Sequence, residues 1–309
     1  MKRSILIASL AFTAILAALP AAVRAADSNA PKRILFFTKS SGYEHSSIKR
    51  GPNGEPSPAE KVLQELGPKH HFEFTFSKDG TIFNGENVQK FDAFFFYTTG
   101  DLTSEGQDHN PPMSKDAKAA FLEAIRGGKG FIGTHSAADT FHSPGYDSGH
   151  PEENYKNNDE MGARGLDPYV QMLGAEFIVH GAQQSSRMIV ADAKFPGISD
   201  VPADFKPVEE WYALKNFAPN LHVLLVQDTD GMKGPMYQRP PYPATWARMY
   251  GQGRVFYTNM GHREDVWTNP VFQSVLVGGI NWAVHNTDAD VIPNLDKVAP
   301  KAAITRSAN

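Results

Sequence analysis

Four histidines and one glutamate stand where an α/β chain would place its chemistry. His45 lies in the polar loop after the apolar run "ILFFT", His135 follows "GFIGT", His180 ends "AEFIVH" and His262 follows "RVFYTNMG". Glu210, in "VEEWY", is the carboxylate to join them. Neutral imidazoles with one carboxylate are a donor set for zinc, manganese or iron, and an open coordination position activates water or polarises a carbonyl. In this reading His45, His135, His180 and His262 are metal ligands, and His135, His262 and Glu210 carry the catalysis. A metal-free reading instead makes one imidazole a general acid or base near neutral pH, with the others bonding substrate hydroxyls. No HExxH-type spacing decides between them, and a satisfied structural histidine competes at each position.

The stretch "GKGFIGTHSAADTF", residues 128–141, begins like the strand-to-helix elbow that presents a nucleophile in acyl-transfer enzymes. Thr134, His135 and Ser136 occupy the elbow. A triad of Ser136, a histidine and Asp139 is disfavoured, because His135 and Ser136 are neighbours that diverge and the first glycine of GxSxG is missing. Ser136 is better read as the cap of the following helix. It and Asp139 also stand as substrate-binding candidates. Tyr212 and Trp246 have rings that can stack on a sugar, with burial in the core the stronger expectation. Arg248 and Arg254 either bind substrate or form structural salt bridges. The glycines of "GQG" at 251–253 make a hairpin turn rather than a phosphate loop.

These residues need a scaffold, and the chain supplies one in a regular rhythm. Strand, helix, strand, strand, helix, strand can be read from residue 33 to "GFIGTH". "SPAEKVLQELGP" and "SKDAKAAFLEAIRGG" are the helices, and "FDAFFFYTTG" is a strand apolar on both faces. The pattern predicts a mainly parallel, doubly wound sheet. A helix in "LDPYVQMLG" follows, then strands in "AEFIVHG", "SSRMIVADAKFPGISDVP", "FKPVEEWYALKNF" and "LHVLLVQDTDG", a hairpin in "YPATWARMYGQGRVFYTNMGH" and a closing helix in "NPVFQSVLVGGINWAVHN". Residues 142–165 form a long polar loop, a candidate wall for the site.

Residues 1–25 combine Lys2 and Arg3, an apolar stretch and small residues before Ala26, as a secretory signal peptide does. The expected location is periplasmic or secreted, with one domain over 26–290 and a loosely ordered tail over 291–309. The chain has no Cys, which excludes thiol catalysis, disulfides and a lipoprotein anchor. It has 30 Lys+Arg against 34 Asp+Glu, and Lys2, Arg3 and Arg24 lie in the leader, so 27 against 34 leave a charge of −7 on the rest. With no basic cluster, nucleic acid is not an expected partner. No later apolar run reaches the roughly 20 residues of a membrane span. A small, polar, neutral substrate is the expected partner, and a homo-oligomer is left open.

Taken together, "GYEHSSI", "GFIGTHSAADTF", "IVHG", "EEWYAL" and "ATWARMYGQGRVFYTNMGH" resemble the ThuA-like (trehalose utilisation) family from about residue 33 to 286. The resemblance implies a variant of the class I glutamine amidotransferase fold, a flavodoxin-like three-layer α/β/α sandwich. His135 stands at or beside the place of that fold's cysteine, so glutamine hydrolysis through a thiolate is excluded. It further implies a role in carbohydrate metabolism, on trehalose or on 3-keto sugars, and the leader points that role to the periplasm. A non-catalytic carbohydrate-binding protein on the same fold is the alternative.

Overall fold

Alternate residues of the first strand, β1 (Lys32–Phe37), feed two different cores. Ile34 and Phe36 pack on one side of the sheet, and Leu35 and Phe37 on the other. A strand buried on both faces needs helices on both faces, and the rest of the chain supplies them. The computed structural model describes residues 30–158 and 165–306. The signal peptide expected over 1–25 lies outside the described residues.

The elements continue with α1 (Pro58–Lys69), β2 (Phe72–Ser77), α2 (Gly85–Lys90), β3 (Ala93–Phe96), α3 (Lys115–Arg126) and β4 (Gly130–Thr134). The central stretch holds α4 (Pro168–Leu173), β5 (Glu176–His180), β6 (Gln184–Ser185), β7 (Met188–Val190), β8 (Val208–Glu209) and β9 (Tyr212–Lys215). The chain closes with β10 (His222–Gln227), β11 (Tyr242–Tyr250), β12 (Gly253–Thr258), α5 (Glu264–Trp267), α6 (Pro270–Ala283) and α7 (Leu295–Val298). Starts are well marked. Ser57 and Glu60 form a capping box before α1, and Ser114 and Asn269 cap α3 and α6.

The main sheet has eight strands in the order β2-β1-β3-β4-β12-β11-β10-β7. β2, β1, β3, β4 and β12 run parallel, and β11, β10 and β7 extend the sheet antiparallel. The parallel part has the flavodoxin-like order, with β12 as its fifth strand. Residues of α1 and α6 share a core with Ile34, Phe36, Phe95 and Phe256. Residues of α3 and α4 share the other core with Phe37, Phe94, Phe96, Phe131 and Tyr257. The three-layer α/β/α sandwich read from the sequence is therefore the observed architecture.

Two short antiparallel ribbons stand apart from this sheet. β5 pairs with β9, and β6 pairs with β8. They carry His180 and Glu210 at their ends. Residues 291–306, the expected tail, bond to β10 of the main sheet and to the loop before β11. Asn294 bonds both the N–H and the carbonyl of Val223, at 2.7 and 3.0 Å, and Arg239 donates to the Ala302 carbonyl at 2.7 Å. Leu295, Ala299 and Ala302 are buried. The segment is anchored by main-chain bonds and small side chains, which leave no periodic apolar face to read in the sequence.

Candidate metal centre

Parallel strands end at one edge of the sheet, and three of the histidines lie just beyond that edge. His45 is in the loop after β1, His135 directly follows β4, and His262 comes after β12. His135 has φ 44°, a left-handed conformation that a non-glycine residue adopts only when its surroundings impose it. Its carbonyl accepts a hydrogen bond from the Tyr257 hydroxyl at 2.7 Å, which helps hold the elbow. Gly261, before His262, has φ 119°, and a Cβ there would lie 2.6 Å from Thr134 Oγ1. Only glycine fits that corner.

The His262 turn is bonded from several sides. Thr134 donates to the Met260 carbonyl at 2.6 Å, Trp267 to the Gly261 carbonyl at 2.8 Å, and Ser47 to the His262 carbonyl at 2.8 Å. Buried Glu209 accepts the N–H groups of Gly261 at 2.6 Å and Arg263 at 3.3 Å. Its neighbour Glu210 reaches the histidines from the connection between the two ribbons.

One ligand atom from each of His45, His135, Glu210 and His262 lies within 4.8 Å of the other three. His262 Nδ1 is 3.2 Å from His135 Nε2 and 3.3 Å from Glu210 Oε1, and His135 Nε2 is 3.9 Å from Glu210 Oε1. Two ligands of one tetrahedral ion with bonds of about 2.1 Å are about 3.4 Å apart, so these gaps fit a shared ion. A single imidazole N–H cannot satisfy both short contacts of His262 Nδ1. His45 Nδ1 is buried without a hydrogen-bond partner among the described residues, the kind of orphan a bound ion accounts for. The group can therefore hold a metal ion.

His180 stands outside the four-donor group. Its Nδ1 lies 3.2 Å from the other oxygen of Glu210, Oε2, and the side chain is 45% exposed. It is an outer neighbour of the carboxylate rather than a fourth imidazole of the set. Gln183, at 3.0 Å from His262 Nε2 and itself held by Arg263, contacts the outer nitrogen of that ring. Groups placed this way orient metal ligands.

Burial decides the protonation of the inner histidines. It holds His45 down at about 3, with His262 and His180 adding to the effect. It likewise drives His135 well below the ordinary imidazole value, assisted by His45 and His262. Both rings are thus neutral, as ligands must be. The Glu209 carboxyl is pushed up to about 8 by burial, which outweighs the main-chain N–H groups it accepts from. Burial also raises the Tyr212 phenol, whose oxygen lies 3.4 Å from His45 Nε2.

The other sequence candidates are spread more widely. Tyr212 packs its ring against His135 at 4.1 Å and is buried, so it supports the donor group from beneath. Ser136 is buried, but it makes no capping bond and its Oγ has no partner among the described residues. Asp139 pairs with His142 at 2.8 Å. Trp246 is in the core and donates to the Leu173 carbonyl at 2.9 Å. Arg248 binds the carbonyls of Gln171 and Met172 at the end of α4, while Arg254 binds Trp282, Thr287 and Asp288. Arg248 also lines a cavity of about 910 Å³ that includes none of the four donors. Glu209, Ser47 and Gln183 were not singled out in the sequence. The only signal for Glu209 was the doubled carboxylate of "VEEWY".

The ThuA family, described as trehalose utilisation, matches residues 33–283. Among solved structures, the chain is similar to a putative ThuA-like protein from Bacteroides uniformis. The two share 18% identity and a TM-score of 0.57 over 86% of this chain and 95% of that one. A putative ThuA-like protein from Parabacteroides merdae gives 17% identity and a TM-score of 0.54 over 84% and 92%. At such identities the likeness is one of fold. No curated protein matches the chain.

Proposed function

This chain belongs to the ThuA family, described as trehalose utilisation, and on that premise we propose that it is an exported enzyme acting on a sugar or keto-sugar. Its working centre is one divalent ion held by His45, His135, Glu210 and His262. The observation that carries the proposal is the convergence of four ligand atoms within 4.8 Å from four separate segments. Zinc, manganese and iron all suit an imidazole-rich set with one carboxylate. When bound, such an ion supplies Lewis acidity to a carbonyl or hydroxyl oxygen.

The chain's own residues do the rest. His45 and His135, held neutral by burial, serve as ligands rather than as proton carriers near neutral pH. Tyr212 keeps its proton and supports both rings from below. His180, half-exposed beside Glu210 Oε2, is placed to exchange a proton with a substrate held at the open side of the group. Removal of a carbon-bound proton next to a sugar carbonyl is the reaction class this arrangement favours, leading to isomerisation or loss of a glycosidic leaving group. An ordinary glycosidase needs two carboxyl groups flanking the bond. The group contains one.

The test is turnover of 3-keto and unmodified disaccharides by protein stripped with a chelator and then reloaded with zinc, manganese or iron. We expect turnover of a keto-sugar that disappears on stripping and returns on reloading. Sugar binding without turnover of any keto-sugar under either condition would instead support a carbohydrate-binding protein. Export is tested separately, by finding the N-terminus of the secreted protein at Ala26.

A further inference from the structure

Phe, Tyr and Trp rings in this chain are buried or half-buried at every described position except one. Tyr43 is 64% exposed. A single exposed ring is ordinary on a protein surface and alone carries no function. Its position is what distinguishes this one. Tyr43 lies two residues before His45, and its ring meets the His45 ring edge-on, with centroids 5.0 Å apart and planes at 90°. Among the described residues, His45 is its only ring partner and its hydroxyl makes no hydrogen bond.

The backbone beneath the ring is fixed. Thr99 Oγ1 donates to the Tyr43 carbonyl at 2.9 Å, and the N–H groups of Ser41 and Gly42 donate to the Thr99 carbonyl at 2.9 and 3.2 Å. A Cβ on Gly42 would already lie 3.3 Å from the Thr99 side chain, so the two segments run in close contact. The result is a large amphipathic surface on a rigid loop at the rim of the donor group. Presenting such a ring costs little conformational entropy when a ligand arrives.

From this we propose that Tyr43 is the stacking platform of a sugar subsite, receiving the apolar C–H face of a pyranose ring beside His45. The polar edge of that ring would then point toward the four-donor group. The inference rests on the carbohydrate reading of the site and names the residue that grips the sugar. Tyr43 is a substrate-binding residue: it would touch the substrate ring and is not one of the four donors. The chemistry of recognition is the ring's C–H face, so a linear polyol should not be held.

The experiment is calorimetric titration of metal-loaded protein with trehalose, 3-ketotrehalose and, as the linear control, sorbitol. Wild type is compared with Tyr43→Phe, Tyr43→Trp, Tyr43→Leu and Tyr43→Ala, with metal content measured on each. We expect Phe and Trp to stay within about twofold of wild type, and Leu and Ala to bind the disaccharides about tenfold more weakly. All four variants should keep the wild-type metal content, showing that the donor group is intact. Disaccharide binding by Tyr43→Ala as tight as wild type would overturn the platform while leaving the carbohydrate reading standing. A Phe variant as weak as Ala would also overturn it, since the hydroxyl and not the ring face would be responsible. A metal-loaded wild type that binds neither disaccharide would overturn both this inference and the carbohydrate reading.

Discussion

Among the described residues, two clusters that join imidazoles to carboxylates behave in opposite ways. In the first, His45, His135 and His262 meet the single carboxylate Glu210. In the second, the single imidazole of His142 sits between Asp139, at 2.8 Å, and Glu176, at 3.6 Å. Where imidazoles are in excess, burial and mutual repulsion keep His45 and His135 neutral. Where carboxylates are in excess, they outweigh burial and raise His142. His142 also stacks flat on Tyr146 at 3.4 Å, while Glu176 accepts bonds from the Ser143 N–H at 2.7 Å and from Asn216 at 2.7 Å. The second cluster is a charged strut under the 142–146 loop. The first is a nest of ligand atoms, and the ratio of the two residue types separates the roles.

Removing a ligand should break the comparison most sharply. We expect His262→Ala to weaken divalent-ion binding by at least about 100-fold, more than loss of an outer orienting group does. Calorimetric titration of chelator-stripped protein would show it, and His142→Gln should leave the affinity within about twofold. Glu209→Gln, which keeps the shape but alters what the His262 turn can donate to, should weaken the ion by roughly 10-fold. Loss of one buried main-chain bond should also lower stability by about 1–3 kcal/mol.

The two clusters also differ in the sign of their pH dependence. In metal-free protein, native His45 resists protonation down to about 3, whereas the unfolded chain takes up that proton near the ordinary value of 6.5. The unfolded state therefore binds more protons, and stability falls with pH below that ordinary value, by roughly 1.4 kcal/mol per pH unit for this one group. His142 has the reverse sign. Its native pKa is raised, so its contribution is present below the ordinary imidazole value and is lost as pH rises through the native one. Denaturant melts at several pH values should show His45→Gln flattening the acid loss. His142→Gln should cost more stability in mildly acidic buffer than in alkaline buffer.

Much of this was legible because strand ends announce themselves. "ILFFT", "GFIGT" and "RVFYT" are apolar runs that stop at a polar residue or glycine. In a parallel sheet their ends share one edge, which brought His45, His135 and His262 together in the reading. His180 also ends a strand, but β5 belongs to a separate ribbon, so a strand-end rule could not place it in the same ring of ligands. Glu210 and Glu209 are identical in type and adjacent. The break between β8 and β9 turns one toward the histidines and the other beneath the His262 turn, and no periodicity encodes that break. Trp246, Arg248 and Arg254 were candidates by residue type alone. Burial and main-chain bonds put them to structural use.

The most direct test of the metal centre is elemental analysis by mass spectrometry of the purified, tag-free protein beside His135→Ala and His142→Gln. The account predicts near-stoichiometric zinc, manganese or iron in wild type and in His142→Gln, and a loss of that metal in a folded His135→Ala. A wild type that stays metal-free after divalent ions are added back, or a His135→Ala that retains its metal, would contradict it.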